Sequence, residues 1–170
     1  MSIIVNTTVL SNFAAIERLD LLRQLYGTIH IPPEVYQEIR MGLEEGYRFY
    51  QGIDRFVHPF VEDGWIYLVG ASAEEELHLF EDLFQRLHQG EAACLAIAHH
   101  RDWLLLTDDL AARQEAERLG VRRSGSVGCL VLAVERDLCS LEQANRLLAS
   151  MIAQSYRSPV TDLTPLLRQG

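Results

Sequence analysis

Short apolar runs rich in β-branched residues alternate along this chain with longer segments of helical periodicity, and that alternation constrains the fold more than any other feature. The runs are SIIV at 2–5, TIHI at 28–31, WIYLV at 65–69, WLLLT at 103–107 and a weaker GVRRS at 120–124. Strands spaced by helix-length segments predict βα units around a parallel sheet of about five strands. Before the second run, LDLLRQLYG has helical spacing and stops on Gly27. After it, Pro32 and Pro33 end the strand and suit the first turn of a helix over PEVYQEIRMGLEEG.

Farther along, 72–89 reads as an amphipathic helix with Ser72 and Glu75 at capping-box spacing and Leu77, Phe80, Leu83, Phe84 and Leu87 on one face. Gly90 is expected to break it. The small-residue helix EAACLAIAHH then begins, able to approach a sheet closely. The stretch 140–155 has a Ser-x-x-Gln start and helical spacing, and SPVTDLTPLL reads as an end piece. The aromatic, glycine-broken segment 46–64 fits either a helical hairpin or a mobile arm.

With 170 residues, 48% of them hydrophobic, the chain can bury one full core, and a single domain over 1–170 is expected. Its net charge of -9, from 24 acidic and 15 basic residues, argues against a broad basic face that grips nucleic acid. A nucleic-acid substrate reached through bound cations is still allowed. Cys94, Cys129 and Cys139 are odd in number, lack CxxC spacing and lie in apolar helical patterns, so neither a disulfide framework nor a zinc site is expected. The apolar runs fall far short of the roughly 20 residues that span a bilayer, and no charged region precedes the first, so a soluble, unexported, cytoplasmic protein with no membrane association is predicted.

In parallel α/β sheets, ligands gather beyond the carboxyl ends of the strands. Asn6 follows the first run, Glu38 lies on the helix after the second, Glu91 opens the small-residue helix, and Asp108 and Asp109 follow the fourth run. Carboxylates brought to one edge supply hard oxygen ligands for Mg²⁺ and serve phosphodiester hydrolysis by an activated water. Taken singly, each has an ordinary structural explanation as an N-cap, a first-turn charge or a solvated helix residue. Thr7 and Thr8 fit either helix capping, the favoured reading, or orientation of a water. Asn12 lies near the same edge or faces solvent. SGSVG at 124–128 fits helix capping, and Arg101, Arg113, Arg118, Arg122 and Arg123 fit a solvated face, with Arg113 nearest the acids. His99 and His100 lack metal-ligand spacing, and Trp65 and Trp103 read as core.

IIVNTTVLSNFAAI, LYGTIHIPPEVYQEI, LHQGEAACLAIA, LLLTDDLAARQEAERLG and SGSVGCLVLAV, taken together and in order, resemble the PIN-like domains, specifically their VapC-like branch. The resemblance implies a three-layer α/β/α fold, an acidic cluster at the carboxyl edge of the sheet, Mg²⁺ or Mn²⁺, and RNA cleavage. Carried over by motif, it places the acidic positions on Asn6, Glu38, Glu91 and Asp109, with Asp108 sharing the last role. Thr7, Thr107 and Arg113, near these positions in the sequence, are the candidates for contact with substrate. It also implies a homodimer silenced by a small antitoxin protein.

Asn6 departs from the motif. An amide offers a metal one carbonyl oxygen and removes a full negative charge. Two functions therefore stand open, a metal-dependent endoribonuclease toxin and a PIN-like binding or regulatory module with weakened catalysis. A phosphatase of the haloacid-dehalogenase type would need Asp-x-Asp-x-Thr where NTTVL stands, and a dinucleotide-binding fold would need G-x-G-x-x-G there.

Overall fold

β1 (Ile3–Val5) is buried at every position, as expected for a strand covered on both faces. It lies inside a six-stranded sheet of order β3-β4-β2-β1-β5-β6, with β2 at Ile29–Ile31, β3 at Val57–His58, β4 at Ile66–Leu68, β5 at Leu104–Leu106 and β6 at Arg123–Ser124. All pairings are parallel, with Ile4 opposite His30 and Leu105, and His30 opposite Tyr67. This computed structural model describes residues 2–167.

Each of the five expected runs contains a strand. The sixth, β3, lies in the segment read as a hairpin or arm, which instead forms two short 3₁₀ turns (Arg48–Tyr50 and Ile53–Phe56) and then pairs Val57 and His58 with β4. Only two residues of β3 are in the ladder, too few to show a period in the sequence.

Helices form the outer layers of a three-layer α/β/α fold. α3 (Pro33–Glu44), α4 (Glu74–Phe84), α5 (Gln89–Arg101) and α6 (Leu110–Leu119) form one packed group centred on α5. α1 (Thr7–Ala15), α2 (Leu19–Tyr26), α7 (Ser126–Glu135) and α8 (Leu141–Ala153) form the other. The small residues of α5 allow the close approach expected of them. Its face from Gly90 to Ala98 is buried throughout, and the Cys94 thiol donates to the Val5 carbonyl at 3.7 Å.

Several local expectations hold. α2 ends on Gly27 at φ 74, α3 starts on Pro33, and Ser140 and Gln143 form the capping box of α8. Two around α4 do not. The carboxylate that serves its start is Glu76, which accepts from the Ser72 and Ala73 amides at 2.9 and 3.2 Å, and not Glu75. Leu83 and Leu87 are buried, while Leu77 and Phe84 are exposed, so the inward stripe is narrower than the sequence pattern suggests. Gly90 does not break a helix either, because it lies in the first turn of α5. Cys94, Cys129 and Cys139 are free thiols. Among the described residues, no helix is long and apolar enough to cross a membrane.

Candidate active site

At the end of β1 the backbone of Asn6 is still extended (φ -82, ψ 159), and its side chain caps α1 by accepting from the Thr7 amide at 2.9 Å. The other end of the amide donates to the Thr107 hydroxyl at 3.0 Å. Thr107, fully buried at the end of β5, also accepts from the Asp109 amide at 3.1 Å. Asp109 in turn caps α6, its carboxylate accepting from Ala112 N at 2.8 Å. A continuous set of bonds thus runs from the first strand end to the start of α6. Asn6 is 1% exposed, and both ends of its amide are engaged within it.

Glu38, the sixth residue of α3, is held from two sides. The Thr7 hydroxyl donates to its Oε2, and Gly90 N donates to its Oε1 at 3.1 Å. A Cβ on residue 90 would lie 2.5 Å from Oε1, so the glycine makes room for this carboxylate. Glu91, next in the chain, accepts from His88 N at 3.2 Å, as the third residue of a helix does in a capping box. Burial, followed by the negative charge of Asp109, pushes the Glu91 carboxyl from its usual 4.5 up to about 7, with a smaller push from Glu38. The His88 amide works in the opposite direction. Glu38 and Glu91 also line an open groove of about 390 Å³ with Met41, Phe84, Leu87 and His88.

Asp108 takes a different direction from its neighbour. Its amide donates to the Thr8 hydroxyl at 2.9 Å, and its carboxylate accepts from Ser126 N at 2.8 Å, from the Ser126 hydroxyl at 2.5 Å, from Asn12 at 2.8 Å and from the Tyr156 hydroxyl at 3.4 Å. It therefore anchors the start of α7. SGSVG takes its cap from this distant carboxylate, and Gly125 lets it approach, since a Cβ there would lie 2.5 Å from Oδ1. Thr7 and Thr8 reach across to Glu38 and to the Asp108 amide, and the cap of α1 expected of them is made by Asn6. Asn12 faces the acidic edge and not solvent.

The sequence candidates accordingly fall into two groups. Asn6, Thr107 and Asp109 are bonded in series, Glu38 is tied to Thr7, and Glu91 feels the charges of Asp109 and Glu38. Asp108 belongs with Asn12, Ser126 and Tyr156. Of the arginines around β5, Arg101, Arg118, Arg122 and Arg123 pair with Glu76, Glu115, Asp102 and Glu117 respectively. Arg113 has no carboxylate partner among the described residues. Sequence reasoning missed Tyr156, which follows Asp108 by 48 positions and lies in no motif.

A divalent cation suits this donor set in its chemistry, since Glu38, Glu91 and Asp109 offer hard oxygens, and burial together with the charges of Asp109 and Glu38 raises the Glu91 carboxyl. With the side chains as they stand, no three His, Cys, Asp or Glu among the described residues converge on one point.

The chain is thus a parallel three-layer α/β protein with polar and acidic side chains beyond the ends of its strands. The chain matches DUF3368, a PIN domain, over residues 2–169, and it belongs to that family. PIN domains are in general nucleases that use divalent metals. No curated protein matches the chain.

Proposed function

We propose that this PIN domain is a metal-dependent endoribonuclease, the toxin of a toxin–antitoxin pair of the VapC-like kind, acting in the cytoplasm as a homodimer and silenced by a small antitoxin. Its family membership, with the Glu91 carboxyl raised by burial and by the charges of Asp109, at the cap of α6, and Glu38 on α3, carries the reading. Glu38, Glu91 and Asp109 would hold Mg²⁺ or Mn²⁺. A bound cation of this type lowers the pKa of water and neutralises charge on the scissile phosphate.

The remaining residues position those three. Thr7 and the Gly90 amide fix Glu38, Thr107 ties Asn6 to Asp109, and Asp108 holds α7 beside them. Arg113, without a carboxylate partner among the described residues, would contact the RNA backbone. In the metal-free protein Glu91 keeps its proton until about pH 7, so cation and proton compete and cation binding strengthens as pH rises through that value. The test is Mn²⁺-dependent cutting of unstructured RNA by the natural protein and by Glu91→Gln and Asp109→Asn. Both changes keep the helix caps and should abolish cutting; activity that persists in both overturns the assignment.

One observation favours the alternative, a PIN-like binding or regulatory module with weakened catalysis. The Asn6 amide is buried and used at both ends inside the protein. Asn6→Asp separates the two readings, because a large gain of metal-dependent cutting supports the weakened module and full activity in the natural protein rejects it.

A further inference from the structure

We propose that Tyr50, at the end of the 3₁₀ turn Arg48–Tyr50, is a positioning residue for Glu38, fixing the spacing of α1 and α3 at which that carboxylate serves a cation. The inference rests on the proposed nuclease function and extends it to the aromatic segment 46–64, which supplies no acid to the site.

Tyr50 is 4% exposed and is held by both helices. Its ring lies against Gly42 of α3, where a Cβ would come within 2.9 Å of Cε2. Gly42 follows Glu38 by four residues, one turn along the same face of the helix, so the ring packs directly beyond the carboxylate. The Tyr50 hydroxyl meets the Ser11 hydroxyl of α1. Ser11 has one proton and donates it to the Thr7 carbonyl at 2.7 Å, so Tyr50 is the donor in that pair. Burial raises the pKa of the phenol, which therefore keeps its proton at neutral pH. Thr7 in turn donates its own hydroxyl to Glu38 Oε2. A closed circuit of contacts thus runs from Tyr50 through Ser11 and Thr7 to Glu38 and back along α3 to Gly42. The other bond on Glu38, from Gly90 N, comes from α5 and does not set α1 against α3. Side chains that orient a metal ligand without touching the metal govern affinity about 10- to 100-fold, and Tyr50 acts one step farther out, through Thr7.

The experiment compares wild type with Tyr50→Phe, Ser11→Ala, the double variant and Tyr36→Phe. Tyr36, also on α3, donates its hydroxyl to Asp54 at 2.9 Å and controls for the loss of a phenol bond away from Glu38. Mn²⁺ affinity of the RNA-free protein is read by calorimetry, urea unfolding is followed in EDTA, and cleavage of unstructured RNA is measured separately. Tyr50→Phe and Ser11→Ala should each weaken Mn²⁺ binding about 3- to 10-fold and lower kcat while KM for RNA holds. The double variant should be no weaker than either, because the two residues act in series. Tyr36→Phe should match wild type in affinity and kcat, whatever it loses in urea. If wild type binds Mn²⁺ and cuts RNA but Tyr50→Phe and Ser11→Ala differ from it only in urea unfolding, the positioning role is overturned and the nuclease reading stands. Losses of affinity that add in the double variant also overturn it. A wild type that binds Mn²⁺ and cuts nothing sinks the nuclease reading, and the affinities still decide the role of Tyr50. Wild-type protein that neither binds Mn²⁺ nor cuts RNA overturns both.

Discussion

Glu91 stores unfavourable charge in the folded protein, and the amount can be measured. Burial and the charges of Asp109 and Glu38 move its carboxyl from 4.5 to about 7. At about 1.4 kcal/mol per unit, the folded protein with Glu91 ionised is about 3 kcal/mol less stable than it would be with that carboxyl in water. Solvent screening at the rim of the groove reduces the expected effect to about 2 kcal/mol. The sign follows from a folded pKa above the unfolded one. The penalty is absent below pH 4.5, grows as the folded form is forced to ionise, and is complete above about pH 7. Glu91→Gln removes the charge and leaves a side-chain oxygen to accept from His88 N. Urea unfolding in EDTA at pH values from 4.5 to 8 should therefore show wild type losing about 2 kcal/mol relative to Glu91→Gln as pH rises. Added Mn²⁺ at pH 7.5 should stabilise wild type and have little effect on the variant. A difference between the two proteins that is flat with pH would refute the claim that these carboxylates share a site.

Gly90→Ala should alter the site without removing any acid. Its Cβ would meet the end of the flexible Glu38 side chain, so thermal stability should change by less than about 1 kcal/mol while Mn²⁺ affinity, read by calorimetry, falls several-fold. Away from the site, Glu76 is fully buried and accepts from Arg101 Nε at 2.6 Å and Nη2 at 3.1 Å. The Arg101 bonds, with help from the Ser72 and Ala73 amides, hold its carboxyl down at about 2. Glu76→Gln should cost about 3 kcal/mol in urea unfolding at pH 7. Because this pKa is depressed, the contribution is complete above about pH 4.5 and fades as pH falls toward 2.

The motif reading and the packed structure part company at the Asp108–Asp109 pair. Both residues follow a strand and both fit a TDD motif, but successive residues of extended chain point to opposite sides. One carboxylate therefore joins Glu91 while the other is drawn to α7. Nothing in the local sequence chooses between them, because the deciding donors come from Asn12, Ser126 and Tyr156, far away along the chain. Gly90 shows the same limit. In sequence a glycine between two helical patterns signals a break, and only the folded arrangement reveals that Glu38 occupies the space where a Cβ would be.

Asn6 was legible as the odd member of an acidic edge, since the apolar run of β1 places it at a strand end by pattern alone. Its engagement with Thr107 was not legible, since those residues lie 101 positions apart. Periodicity and local stop signals were sufficient for the five main strands, the ends of α2 and α8, and the burial of α5, because each depends on residues within a turn or two. Which side chains meet across the sheet, which arginines are neutralised and which acid faces which partner depend on contacts between distant segments. Those contacts come into being only when the strands assume the order β3-β4-β2-β1-β5-β6 and bring their carboxyl ends to one edge.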